Sequence, residues 1–109
     1  MNIKEFQEVS KRTMKWDEFS HLHCAMGVSG EAGEVVDIIK KSHFYNKPID
    51  KNHLDEEIGD VMFYIVNLAS CYGLDFETIL ENNFNKLSKR YPKGYNDKDA
   101  VTRMDKSNE

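Results

Sequence analysis

The sequence predicts an all-α protein built as a helical bundle of about four helices. Apolar residues recur at helical spacing in four segments, at about residues 2–15, 20–43, 51–72 and 76–90. No stretch alternates apolar and polar residues in the way that a half-buried β-strand does. Residues that end helices separate the later segments, namely Pro48, Gly73 and Pro92.

The first two helices are predicted from their apolar positions. In the first helix, three apolar residues spaced three apart share one face: Ile3, Phe6 and Val9. The second helix carries apolar residues on more than one face between Leu22 and Ile39. The stretch NKPID, residues 46–50, then breaks the helical pattern.

The third and fourth helices have predicted N-caps at Asp50 and Asp75. The fourth helix carries its apolar residues on one inward face: Phe76, Ile79, Leu80, Phe84 and Leu87. The third helix contains the run VMFYIVNLA, residues 61–69, and is apolar over more of its circumference than one monomer core requires. Because such a helix is usually buried on several sides, we expect homodimer packing to complete the bundle.

The composition is that of a single globular domain. We place this domain at residues 1–95 and a polar C-terminal tail at residues 96–109. The net charge of −4 argues against nucleic acid as a partner. The N-terminus lacks an apolar signal-peptide region, and the run at 61–69 is about half as long as a membrane span. We therefore expect a cytoplasmic protein with no membrane partner, in which Cys24 and Cys71 are free thiols.

Four acidic residues on the second and third helices form the main functional pattern. Glu31 and Glu34 lie three residues apart, as do Glu57 and Asp60, so each pair shares a helix face. If the two helices pack antiparallel, the pairs oppose each other. Glycines beside both pairs are expected to let the helix backbones approach closely: Gly30, Gly33 and Gly59.

Four converging carboxylates repel one another unless protons or cations lie between them. A pair of unit charges about 4 Å apart costs on the order of 4 kcal/mol at an effective dielectric constant near 20. Hard oxygen ligands without cysteine or clustered histidine favour Mg²⁺ or Mn²⁺ over zinc. The alternative is that these acids form an ordinary solvated helix face, although the apolar neighbours of Glu57 and Asp60 argue against it.

Three stretches of the sequence resemble the short, single-domain MazG-type nucleotide pyrophosphohydrolases: GVSGEAGEVVDIIKK, LDEEIGDVMFYIVNLA and NNFNKLSKRYPKGY. The resemblance covers about residues 3–95. It implies a helical fold that forms a homodimer or a homotetramer. It also implies Mg²⁺-dependent hydrolysis of a nucleoside triphosphate to the monophosphate and pyrophosphate, with Mn²⁺ as a substitute.

The resemblance also assigns site residues. It implies that four acids are the metal ligands: Glu31, Glu34, Glu57 and Asp60. Either Glu34 or Glu57 would orient the attacking water or accept its proton. Lys86 and Arg90 lie four apart on the fourth helix and suit phosphate oxygens. The full set of predicted substrate contacts is His23, Lys40, Asn83, Lys86, Arg90 and Tyr91, whereas His43 and His53 are expected on the surface.

Two other functions remain open from the sequence. One is a relative that acts on deoxyuridine nucleotides or on phosphoribosyl-ATP, since similar helical scaffolds serve both. The other is a non-catalytic helical dimerisation module that keeps the metal as a structural clamp. The intact set of four acids and the Lys86/Arg90 pair argue against such a clamp.

Overall fold

A computed structural model describes residues 1–106, which form helices joined by loops and contain no β-strand. The α-helices of this range are α1 Ile3–Arg12, α2 Ser20–Tyr45, α3 Lys51–Cys71, α4 Phe76–Arg90 and α5 Asp97–Thr102, and a 3₁₀ turn follows at Met104–Lys106. The all-α prediction is confirmed. The chain divides into two compact units, Met1–Leu74 and Asp75–Glu109, which are described separately below.

Side-chain caps explain where the two helices after the central loop begin. The Asp50 carboxylate accepts the backbone N–H groups of Asn52 and His53, at 3.1 and 3.2 Å. The Asp75 carboxylate accepts the backbone N–H of Thr78 at 3.2 Å. Each cap satisfies N–H groups that the first helical turn leaves without a partner. The predicted starts of α3 and α4 are therefore confirmed.

Helices α2 and α3 pack as an antiparallel pair in the first unit. His21, early in α2, lies with its ring centroid 6.5 Å from that of Tyr72, just after α3 ends. The ring centroid of His23 lies 5.7 Å from that of Tyr64, which precedes Tyr72 by about two turns of α3. The core beside these contacts includes the fully buried side chains Cys24, Val66 and Asn67.

Helix α1 joins this pair through polar contacts as well as packing. The side-chain amide of Gln7 donates to Ser70 Oγ at 3.0 Å and to the Leu74 carbonyl at 2.9 Å. The amide of Asn67 donates to the Ser10 carbonyl at 3.3 Å. Because buried polar groups are costly without partners, these bonds fix the position of α1 on α3. Within residues 1–106, no helix combines the length and the apolar character needed to cross a bilayer.

The close approach of α2 and α3 occurs at Gly27. A Cβ atom on Gly27 would lie 2.4–2.6 Å from ring atoms of Tyr64. A Cβ atom on any of the three glycines beside the acids would meet no neighbouring atom within 4 Å: Gly30, Gly33 and Gly59. The prediction that these three glycines admit the partner helix is therefore wrong, because they do not face it.

The second unit contains α4, α5 and the 3₁₀ turn. Arg90, at the end of α4, pairs with Asp105 through two bonds, Nε to Oδ1 at 2.8 Å and Nη2 to Oδ2 at 3.0 Å. Asn96 caps α5 by accepting the N–H of Asp99 at 2.7 Å. The part of the predicted polar tail that the structure describes, residues 96–106, is thus largely helical and tied to α4. Helix α5 has six residues, too few for an apolar periodicity to reveal it.

Candidate metal centre

Three of the four predicted metal ligands converge between α2 and α3. Glu31 lies on α2, and Glu57 and Asp60 lie on α3. One carboxylate oxygen of each residue lies within 4.8 Å of the others. Spacing along each helix and the antiparallel packing together produce this cluster, called the acidic cluster below. Glu34 lies outside this set and is exposed to solvent.

The electrostatics of the acidic cluster favour a proton or a cation. The pKa of Glu31 is raised, mainly because its carboxyl group lies close enough to Glu57 to share a proton, and then by burial and by the charges of Glu57, Asp60 and Glu34. A hydrogen bond between Glu31 and Glu57 forms only when one of the two carboxyl groups is protonated. When both are ionised, neither is a donor and the three charges repel. A divalent cation between them removes this repulsion without a proton.

Glu57 is the most constrained member of the acidic cluster. Its side chain is 14% exposed, and its Oε1 lies 3.3 Å from Nε2 of His53. Its Oε2 is buried and has no hydrogen-bond partner among residues 1–106. Carboxylate oxygens without competing thiols are the donor set that Mg²⁺ and Mn²⁺ prefer. The residues of the acidic cluster therefore fit a divalent cation of this class.

The predicted substrate contacts on α2 lie on both sides of Glu31. His23 is exposed and stacks at a tilt near Tyr64, about two turns before Glu31. Lys40 follows Glu31 by nine residues, and its Nζ lies 3.7 Å from Asp37 Oδ1. Both assignments stay predictions. Asp37, which continues the acidic spacing of α2, pairs with lysines and is not part of the acidic cluster.

The remaining predicted substrate contacts belong to the second unit. Asn83 and Lys86 are exposed on α4. Arg90 pairs with Asp105, and its guanidinium carbon lies 5.8 Å from the centroid of the Tyr91 ring. The Asp105 carboxylate raises the pKa of Arg90 further above its usual value. Phosphate binding by these four residues stays a prediction. In that prediction, Arg90 would bind phosphate while it keeps its ion pair with Asp105.

Sequence reasoning missed two residues beside the acidic cluster. The expected surface position of His53 is confirmed, but its contact with Glu57 was not predicted. The spacing of four residues between His53 and Glu57 was the available signal. Gly27 was not singled out, and only its distance to Tyr64 shows that it lets α2 and α3 approach closely.

Comparisons with known proteins show the family of the chain. The model of the MazG nucleotide pyrophosphohydrolase domain matches residues 19–95. Gene 37 protein of Mycobacterium phage L5 is 33% identical over 76 residues, which are 66% of this chain and 67% of that protein. No solved structure gives a significant match. Because the matched region spans most of the chain and contains the whole acidic cluster, the chain belongs to the MazG nucleotide pyrophosphohydrolase family.

Proposed function

We propose that this chain hydrolyses nucleoside triphosphates to the monophosphate and pyrophosphate, with Mg²⁺ as its cofactor. The observation that carries the proposal is the acidic cluster, in which three carboxylates meet and one buried oxygen lacks a partner. Family membership supplies the class of reaction, and the donor set supplies the class of metal. Nucleotide-pool control or the removal of unwanted nucleotides is the proposed cellular role.

The carboxylates of the acidic cluster have distinct tasks in this proposal. Glu31, Glu57 and Asp60 would hold the cation. When bound, a divalent cation would supply positive charge for the triphosphate and would lower the pKa of the attacking water. Glu57 already contacts His53 through Oε1, so its Oε2 is the oxygen left for the cation. Of the two predicted bases, this leaves the exposed Glu34 to orient the water or accept its proton.

The proposed reaction is an in-line displacement at the α-phosphorus. The water oxygen forms a bond to that phosphorus, and its proton passes to the base. The bond from the phosphorus to the bridging oxygen breaks, and pyrophosphate leaves with the bonding electrons. The predicted substrate contacts supply positive charge and hydrogen bonds to the nucleotide: His23, Lys40, Asn83, Lys86, Arg90 and Tyr91.

The proposed assembly is a homodimer or a homotetramer. An open apolar hollow of about 370 Å³ lies across α2 and α3, lined by Ala32, Val35, Val36, Ile58, Val61 and Met62. Val36 is 61% exposed and Ile58 is 50% exposed, which is high for aliphatic side chains on one continuous surface. A second copy of the chain would bury this surface. Light scattering after size exclusion should show a dimer or tetramer that Val36→Lys dissociates, and a monomeric wild type would contradict this assembly.

The activity is tested with a panel of canonical and modified nucleoside triphosphates, with Mg²⁺ and with or without EDTA. Chromatography should show the monophosphate and pyrophosphate only when the metal is free to bind. Glu57→Gln and Asp60→Asn should each lower turnover at least about a hundred-fold, because losing a ligand removes several kcal/mol of charge stabilisation. Glu56→Gln is the matched control, since Glu56 is an exposed neighbour outside the acidic cluster.

Other results of these assays would contradict the proposed site or the proposed activity. Wild-type turnover by Glu57→Gln or Asp60→Asn, with unchanged helix content, would remove these residues from the site. If wild type hydrolyses no triphosphate, diphosphates and phosphoribosyl-ATP are the next substrates. If Mg²⁺ binds and none of these compounds is hydrolysed, the chain is a non-catalytic metal-binding module.

A further inference from the structure

His53 makes the contact that most restricts Glu57. The two residues lie four apart on α3, so their side chains lie on the same helix face. The 3.3 Å separation of Nε2 and Oε1 is just beyond the usual range of an N–H···O hydrogen bond. The imidazole can donate from Nε2 in its charged form and in one neutral tautomer, so the contact does not depend on the charge of His53.

The two oxygens of Glu57 therefore differ. Oε1 faces His53, whereas Oε2 is buried and has no hydrogen-bond partner among the described residues. A carboxylate that is free to rotate exposes both oxygens in turn and loses that freedom when it binds a metal. A carboxylate already held by one oxygen offers the other in a fixed direction. Groups that hold metal ligands in this way commonly raise the affinity of the site for its metal.

We infer that His53 is a positioning residue, which holds Oε1 of Glu57 so that Oε2 binds the divalent cation of the acidic cluster. The inference deepens the proposed function and rests on its assignment of Glu57 as a metal ligand. It predicts an effect on metal affinity first, and on catalysis only through metal occupancy.

The test is a titration of the metal-free, full-length chain with Mn²⁺ alone, followed by electron paramagnetic resonance of the free ion. His53→Ala should weaken Mn²⁺ binding about three- to ten-fold, which is less than the roughly ten- to hundred-fold typical of groups that hold metal ligands, because His53 is half-exposed. His53→Gln keeps an N–H donor of similar reach and should restore most of the affinity. Asn52→Ala is the matched control, because Asn52 is an exposed neighbour whose backbone N–H also donates to Asp50.

Unchanged or tighter Mn²⁺ binding by a folded His53→Ala variant would overturn the inference, as would a failure of His53→Gln to restore affinity. If His53→Ala does not fold, His53→Asn replaces it, because its amide is too short to reach Oε1. In turnover assays, His53→Ala should raise the half-saturating Mg²⁺ concentration several-fold and leave kcat at saturating Mg²⁺ nearly unchanged. If wild type binds Mn²⁺ in the expected pattern but hydrolyses no nucleotide, the proposed function fails and this inference stands.

Discussion

Gly27→Ala is the substitution that tests the packing of the helix pair most directly. The added methyl carbon would lie 2.4–2.6 Å from three atoms of the Tyr64 ring, far inside the 3.5–4.0 Å at which carbon atoms pack. One of these atoms is Cγ, at the base of the ring, so the ring cannot avoid the methyl group by moving its tip. Overpacking of this kind costs about 1–3 kcal/mol, and replacing glycine by alanine in a helix returns about 1 kcal/mol. We expect a net loss of about 0–2 kcal/mol in the free energy of unfolding.

Two glycines on the same helix provide matched controls. Alanine at Gly30 or Gly33 meets no atom within 4 Å, so each variant should gain about 0.5–1 kcal/mol from helix propensity alone. Because the propensity gain is common to both variants, urea unfolding followed by far-ultraviolet circular dichroism should separate Gly27→Ala from Gly30→Ala by the overpacking cost, about 1–3 kcal/mol. All variants are compared at one protein concentration, because assembly contributes to apparent stability.

Equal stability of Gly27→Ala and Gly30→Ala would refute the assigned contact between Gly27 and Tyr64. A double-mutant cycle with Tyr64→Ala gives an independent check, since the cost of Gly27→Ala should largely disappear once the ring is gone. A loss of stability in Gly30→Ala that grows with protein concentration would instead place Gly30 against a second copy of the chain.

Three further predictions concern charged and titratable groups. Glu31→Gln should raise the melting temperature of the metal-free protein, because it removes one of three converging carboxylates. The same substitution should weaken Mn²⁺ binding. A lower melting temperature of the metal-free variant would contradict this prediction. Burial, and then the nearby Cys71, raise the pKa of Cys24 to about 11 from 9.0, so in the folded chain at pH 8 a thiol reagent should label Cys71 and spare Cys24. The stability that the protonated Cys24 contributes is present below pH 9.0 and is lost as the pH rises towards about 11, which thermal unfolding against pH would measure. The Arg90 guanidinium lowers the pKa of Asp105 to about 2 from 3.8, so the pair stabilises α5 above pH 3.8 and this support is lost as the pH falls towards about 2. Asp105→Asn should speed hydrogen exchange of the α5 amides at neutral pH, and unchanged exchange would rule out this role.

Local signals explain how much of the fold was predictable. The starts of α3 and α4 depend on caps at Asp50 and Asp75, and each cap acts within three residues of its own position. The end of α1 shows the limit of such signals. The sequence predicted helix to about residue 15, but α1 ends at Arg12, and Trp16 Nε1 donates to the Lys11 carbonyl at 2.8 Å. That bond satisfies a carbonyl at the helix end through a side chain beyond the helix, which apolar periodicity does not reveal.

The acidic cluster was largely predictable because its members combine close spacing with a short helix connection. Which glycine of α2 faces α3 depends on its direction around the helix. At 100° per residue, Gly27 lies about 40° from Glu31 around α2, whereas Gly30 and Gly33 lie about 100° and 160° away. Sequence proximity to the acids therefore selected the wrong glycines. Glu34 lies about 60° from Glu31 and about 20° from Gly27 around α2, so direction around the helix does not explain why it is exposed and outside the converging set.

Arg90 shows why charged residues are harder to assign from sequence than caps or helix faces. A basic residue four positions after Lys86 suits phosphate by its spacing, and nothing local indicates that Asp105, fifteen residues later, accepts two of its five N–H donors. A paired arginine still binds an anion if its other donors face it, and the pairing fixes the guanidinium plane in advance. Lys86 has no such rigid fork and acts as a point charge. If both residues bind phosphate as predicted, they are not equivalent: the pair with Asp105 fixes the orientation of the Arg90 guanidinium and adds a negative charge beside it, whereas Lys86 offers a positive charge without a fixed orientation.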